Sequence, residues 1–133
     1  MSVVSNRKAE HLALCATDAV AYRVTGTLLD CVKLPHESLP DLDLAAIDTR
    51  TRLLGKELRA PLVIAAMTGG HPDATAINRE LASVAEERGY AFGLGSQRAM
   101  EREPELGVTY RIRDVAPSAL LLGNPKLMRD WSV

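Results

Sequence analysis

Three apolar runs, each stopping at a small or polar corner, recur along this chain at a fixed interval. Leu62, Ala91 and Leu120 hold comparable places in them, 29 residues apart each time. That interval fits a strand, a helix and their connections, so it predicts successive β-α units, right-handed crossovers and a parallel sheet. The first run is the sharpest. From Ala60 to Met67 eight successive residues are apolar, and Thr68-Gly69-Gly70 then turns the chain. Pro61 suits a strand start, Val63 and Ile64 suit its pleat, and the unbroken run predicts burial on both faces. The two glycines let the backbone turn and let a ligand approach it.

The other segments fit around this rhythm. Ser5 or Asn6 can cap a short helix from Arg7 to Cys15, which puts Arg7 and Lys8 in a first turn beside free backbone N–H groups. From Ala16 to Leu58 prolines, glycines and aspartates predict irregular chain, with turns at Leu39–Asp43 and Ile47–Thr49 and a hairpin over Leu53–Leu58. His71-Pro72-Asp73 offers a helix start, Ile77, Leu81, Val84 and Ala85 recur at helical spacing, and Gly89 is a stop, so a helix is expected over Ala74–Arg88. A second strand is expected over Tyr90–Gly95, a helix around Leu106–Val115 with Val108, Ile112 and Val115 on one side, and a third strand over Ala119–Gly123. The strand ends carry Thr68-Gly69-Gly70, Ser96-Gln97-Arg98 and Asn124. Parallel α/β sheets place ligands at such carboxyl ends.

Composition narrows the functions. With 133 residues, 47% hydrophobic and a formal net charge of −1, the chain reads as one globular domain with no general attraction to nucleic acid or an anionic membrane. Cys15 and Cys31 form no C-x-x-C pair and read as reduced thiols. No run is long enough to span a bilayer, and no leader is visible, so a cytoplasmic protein is expected.

Read together and in order, Arg7-Lys8-x-Glu10-His11, His36-Glu-Ser-Leu39-Pro40, Ile47-Asp48-x-x-x-x-Leu53-Leu54-Gly55-Lys56, Ala66-Met67-Thr68-Gly69-Gly70 and Gly95-Ser96-Gln97-Arg98 resemble the type 2 isopentenyl diphosphate isomerases, which are flavin-dependent (β/α)8 barrels. The resemblance runs from about residue 7 to 124. It implies an isomerase of isoprenoid biosynthesis that interconverts isopentenyl and dimethylallyl diphosphates, using FMN reduced by electrons from NADPH or NADH, and Mg2+ on the diphosphate. It further implies FMN contacts at Ala66, Met67, Thr68, Ser96 and Asn124, and substrate contacts at Arg7, Lys8, Ser96, Gln97 and Arg98, with His11 in a supporting role. Charge-assisted bonds from guanidinium and ammonium groups suit a diphosphate. Similar full-length enzymes form homo-oligomers.

Two departures stand out. Glu37 replaces an expected neutral amide, and residues 125–133 leave the pattern altogether. A full barrel takes about 250 residues, so the expectation is an α/β fold holding the first three β-α units of a partial TIM barrel, with an N-terminal helical and irregular extension, as one incomplete FMN-dependent domain over residues 1–133. The catalytic and metal-binding residues are expected beyond residue 124, which makes the chain alone a truncated, inactive form. Two alternatives stay open. One is another FMN-dependent barrel oxidoreductase, such as a hydroxy-acid oxidase or nucleotide dehydrogenase, and the other is a non-catalytic α/β fragment that needs a complementary chain.

Overall fold

A computed structural model describes residues 3–24 and 26–125, with side chains from residue 6 onward. Most of the divergent tail, residues 126–133, lies outside the described residues. The elements are helix α1 (Val3–Cys15), strands β1 (Thr51–Leu53), β2 (Lys56–Leu58) and β3 (Val63–Ile64), helix α2 (Ala74–Arg88), strand β4 (Ala91–Gly93), the short helix α3 (Arg98–Arg102) and strand β5 (Leu121–Leu122). The fold is therefore mixed α/β.

The chain between α1 and β1 is irregular, as its prolines and aspartates predict, with 3-10 turns at Asp18–Val20, Leu29–Cys31 and Leu44–Ala46 that contain no buried residue. The β1-β2 hairpin forms where expected. Both central residues of its two-residue turn have positive φ, Leu54 at 49° and Gly55 at 79°, the geometry that matches strand twist and favours Asn-Gly. Leu54 is strained there and exposed. Replacing it by Asn should raise the stability of the chain by up to about 1 kcal/mol, read as a higher urea midpoint.

The main sheet is parallel, in the order β3-β4-β5. Phe92 lies opposite Leu121, the expected 29-residue interval, whereas Ala91 lies opposite Val63, which makes the first interval 28 residues and puts Leu62 one place out of register. Beyond β3 the mismatch grows. Ala91 N–H donates to the Leu62 carbonyl, but Gly95 N–H donates to that of Thr68. Six steps of chain thus run beside four, and Ala66 rides close over Gly93, where a Cβ would sit only 3.0 Å from the Ala66 nitrogen.

One face of this sheet carries the core. Phe92 and Leu94 pack with Ala82 and Ala85 of α2 and with Tyr110, Ile112, Ala116 and Ala119, while Ile64 and Leu121 join from the flanking strands. Burying Phe92, 1% exposed, contributes roughly 1.5–3 kcal/mol. The expectation that the first run is buried on both faces fails. Leu62, Val63, Ala65, Ala66 and Met67 are exposed, because β3 is an edge strand and no described element covers its second side.

Helix α2 has its expected bounds, ended by Gly89 at φ 68° with its N–H on the Ala85 and Glu86 carbonyls. Its inward face is different. Ala74, Asn78, Ala82 and Ala85 are buried, whereas Ile77 and Val84 are exposed, since small residues let the helix approach the sheet closely. The expected helix over 106–115 is also replaced: a 3-10 stretch runs over Pro104–Tyr110, and the short α3 ends before it at Arg102. Pro104 fits a helix start, but the Thr109 hydroxyl donates to the Leu106 carbonyl at 2.7 Å. A local side-chain bond of this kind competes with α-helix continuation.

Glu86 joins α2 to the lead-in of β5. Its carboxylate accepts from the Ser118 hydroxyl, from Ser118 N–H at 3.0 Å and from Ala119 N–H at 2.6 Å. The Ser118 hydroxyl is the main reason that its pKa lies below the usual glutamate value, against the opposing effect of burial; the two amides and Arg113 add to the lowering. Because the folded value is depressed, the unfolded chain binds this proton first as pH falls. The stabilisation is complete above the ordinary glutamate range and is lost as pH drops through the folded value. A Glu86→Gln chain should accordingly lose less of its urea midpoint than the parent between pH 5 and pH 3.

Candidate functional site

The three corners meet at the carboxyl ends of β3, β4 and β5. Gly95 N–H donates to the Thr68 carbonyl at 3.1 Å, and Gln97 N–H donates to the Asn124 carbonyl at 3.0 Å. The 64–70, 94–98 and 122–124 segments thereby stand side by side, as parallel strand ends do. Of the residues expected to face a ligand, Ala66, Met67 and Asn124 are exposed, Ser96 and Gln97 are half-buried, and Thr68 is 8% exposed.

The glycines of the first corner have a different use from the one expected. A Cβ on Gly69 would sit 2.1 Å from Cε1 of Tyr110, and one on Gly70 would sit 2.4 Å from the Ala99 Cβ. Both also have positive φ, 148° and 78°. The group that comes close to this backbone is the Tyr110 ring, so the glycines are required by packing within the chain.

A buried polar network holds the corner from behind. Asn78, 1% exposed in the middle of α2, donates through Nδ2 to the Thr68 carbonyl at 3.3 Å and to the Thr109 carbonyl at 2.8 Å. The Thr109 Oγ1 accepts from Gly70 N–H at 2.9 Å. Tyr110 donates its hydroxyl to the Ser96 carbonyl at 2.7 Å, and burial pushes its pKa up, keeping it a neutral donor. Neither the motifs nor the expected helices single out these three residues. For Asn78 the signal was available, because it falls on the alanine stripe of residues 74, 78, 82 and 85.

The cations arrive from two helices. α1 begins at Val3, so Ser5 and Asn6 lie inside it, and Arg7 and Lys8 lie beyond its first turn. The expected pairing of these cations with free helix amides is therefore corrected. What the fold does instead is bring Lys8, half-buried, within electrostatic reach of Arg7 and of Arg98 at the start of α3. Burial first, then these two guanidiniums, lower the Lys8 pKa from the ordinary lysine value. None of the ion pairs among the described residues involves Arg7, Lys8 or Arg98. Such a set of like charges costs stability unless an anion joins it.

Between α1, the first corner and α2 lies a cavity of about 280 Å³, lined by His11, Leu12, Cys15, Met67, Thr68 and Ile77, among others. It is mainly apolar and borders the exposed Met67. A larger groove of about 560 Å³ is lined by Arg79, Arg111 and Ile112, with Leu94 and Tyr110 among its other walls. The latter contains none of the expected site residues, so the corner carries the functional reading. Among the described residues no three His, Cys, Asp or Glu side chains are placed to hold a metal ion, both cysteines are free, and no helix is long and apolar enough to cross a membrane.

Comparison with known proteins gives close relatives. A protein named isopentenyl-diphosphate delta-isomerase from Methanothermobacter thermautotrophicus is 49% identical over 123 residues, covering 92% of this chain and 35% of the relative. Proteins of the same name from Aeropyrum pernix and Synechococcus sp. are 47% and 46% identical over 97% and 92% of the chain, again across 35% of their own length. The chain thus spans about a third of the curated relatives that it matches. No family model matches it.

Proposed function

We propose, on the premise that this chain is homologous over nearly its whole length to about a third of the isopentenyl-diphosphate delta-isomerases, that its three corners form part of a site for FMN and for isopentenyl or dimethylallyl diphosphate. The single observation that carries the reading is that the fold brings Lys8 of α1 within electrostatic reach of Arg98, which directly follows the Ser96-Gln97 corner at the start of α3, with Arg7 adjoining Lys8 in the chain. Another FMN-dependent barrel enzyme would use the strand ends but has no need of those three cations together. The parallel order β3-β4-β5 fits three consecutive units of a (β/α)8 barrel.

The residues fit a flavin in part. Ala66, Met67 and Asn124 are open to contact, Ser96 is half open, and the apolar cavity adjoins Met67. Thr68 contributes through the shape of the turn, since its carbonyl already accepts from both Gly95 and Asn78. When bound, reduced FMN would supply the proton-transfer chemistry that shifts the double bond by one position. The chain's own part is to hold the diphosphate with Arg7, Lys8, Gln97 and Arg98, and so to fix where the hydrocarbon end lies. For Mg2+ the described residues offer no carboxylate cluster, so its ligands, like the catalytic acid or base, would come from the remaining two thirds of the relatives' barrel. NADPH would serve only to reduce the flavin, and homo-oligomerisation and a cytoplasmic setting belong to the same reading. Without that remainder, residues 1–133 alone should bind ligands and turn nothing over.

A chimera tests this. Residues 1–124 would replace the aligned part of the Methanothermobacter thermautotrophicus relative, and isopentenyl diphosphate isomerisation would be assayed with reduced FMN and Mg2+. The chimera should isomerise and the 133-residue chain should not. A folded but inactive chimera would contradict the isomerase reading, and robust turnover by the short chain would contradict its incompleteness.

A further inference from the structure

Residues 109 and 110 are neighbours in sequence, yet each bonds a different corner. The Thr109 hydroxyl takes the Gly70 amide of the first corner, and the Tyr110 hydroxyl gives to the Ser96 carbonyl of the second. Asn78 joins them from α2, with one amide group shared between the Thr68 and Thr109 carbonyls. All three side chains are buried, at 1%, 7% and 1% exposure for Thr109, Tyr110 and Asn78. For core packing alone, valine and phenylalanine would serve at 109 and 110 without the cost of burying a hydroxyl. The polar atoms earn their place only by fixing backbone groups on two separate strand ends.

The Tyr110 ring adds a second constraint. It fills the space that a side chain at Gly69 would need, and its hydroxyl lies 2.9 Å from where a Gly70 Cβ would stand. The Thr68 carbonyl accepts both Gly95 N–H and Asn78 Nδ2, so the first corner is bonded to the second strand end and to the helix behind it at one atom. Displacing either corner therefore breaks bonds to the other.

We infer that Asn78, Thr109 and Tyr110 are positioning residues, a buried clamp that sets the spacing of the Thr68 and Ser96 corners so that one flat ligand meets both. The inference rests on the flavin reading above for the identity of that ligand, and on the geometry alone for the coupling of the corners. The clamp touches neither flavin nor substrate and acts through the two backbones it holds.

The test uses the full 133-residue chain with Tyr110→Phe and Thr109→Val, which keep ring and branched shape, and Thr109→Ser, which restores the hydroxyl. Amide hydrogen exchange is followed without FMN, and FMN dissociation constants and flavin absorption are measured separately. Tyr110→Phe should speed exchange at Gly70 as well as near Ser96, and Thr109→Val should speed it at Gly95 as well as at Gly70. Each should weaken FMN binding by about fivefold to tenfold and shift the flavin absorption, while Thr109→Ser recovers most of both. Exchange changes confined to the mutated side's own corner would overturn the clamp, whether or not FMN binds. If the parent chain binds FMN and all three variants bind it unchanged, the positioning role is overturned while the flavin reading stands. If the parent takes up no FMN, the flavin reading fails, and the exchange pattern decides the clamp by itself.

Discussion

Replacing Gly95 by Ala should cost about 3 kcal/mol or more of stability and abolish FMN binding with it. A Cβ there would stand 2.4 Å from the Thr68 carbonyl oxygen and 2.7 Å from its carbon. Those are backbone atoms of the adjacent strand end, already held by Gly95 N–H and by Asn78, so no side-chain rotation relieves the clash. The two corners would have to separate. Since a domain of this size has roughly 5–15 kcal/mol in total, the urea midpoint should fall steeply. Gly107→Ala is the matched control, because nothing lies within 4 Å of its Cβ position, and it should change stability by less than about 0.5 kcal/mol. Equal effects at the two glycines would mean that the corners do not meet as described.

Removing the positive charge at Arg98 should weaken isopentenyl diphosphate binding by about 10- to 100-fold, the worth of a charge-assisted hydrogen bond, with Arg7→Ala in the same range and FMN affinity little changed. Lys8 adds a pH signature. Its ammonium gives up its proton below the ordinary lysine range, chiefly because it is partly buried and then because Arg7 and Arg98 repel it. Diphosphate affinity should accordingly begin to fall at a lower pH than an isolated lysine would dictate, and Lys8→Arg should remove that fall because a guanidinium stays charged. In the ligand-free chain the sign is opposite. The unfolded state holds this proton to higher pH than the folded one, so between the two values stability rises with pH. An enzyme that bound only flavin at these corners would show neither the loss at Arg98 nor the pH signature.

Much of this arrangement is legible in the sequence where local chemistry decides. Gly89 ends α2 because the αL conformation it adopts suits glycine, Gly55 makes the hairpin turn, and the apolar runs give three parallel strands in order. The misreadings come from longer-range effects. The 29-residue rhythm hides the surplus residues after β3, since a sequence interval does not show where a strand bulges. Ile77 and Val84 looked like the inward face of α2, but the sheet takes the alanine stripe and Asn78 instead. Thr109 disrupted an expected helix by bonding Leu106. Lys8 and Arg98 stand 90 residues apart in the chain, and only the fold brings them within electrostatic reach of each other.

The most direct measurement is a map of backbone amide shifts on the purified 133-residue chain, titrated separately with FMN and with isopentenyl diphosphate. The site described here predicts that FMN perturbs the amides around Met67, Ser96 and Asn124 together, and that the diphosphate perturbs those around Lys8 and Arg98. Perturbations gathered instead along the groove beside Arg79 and Ile112, or none at the three corners at saturating ligand, would contradict it.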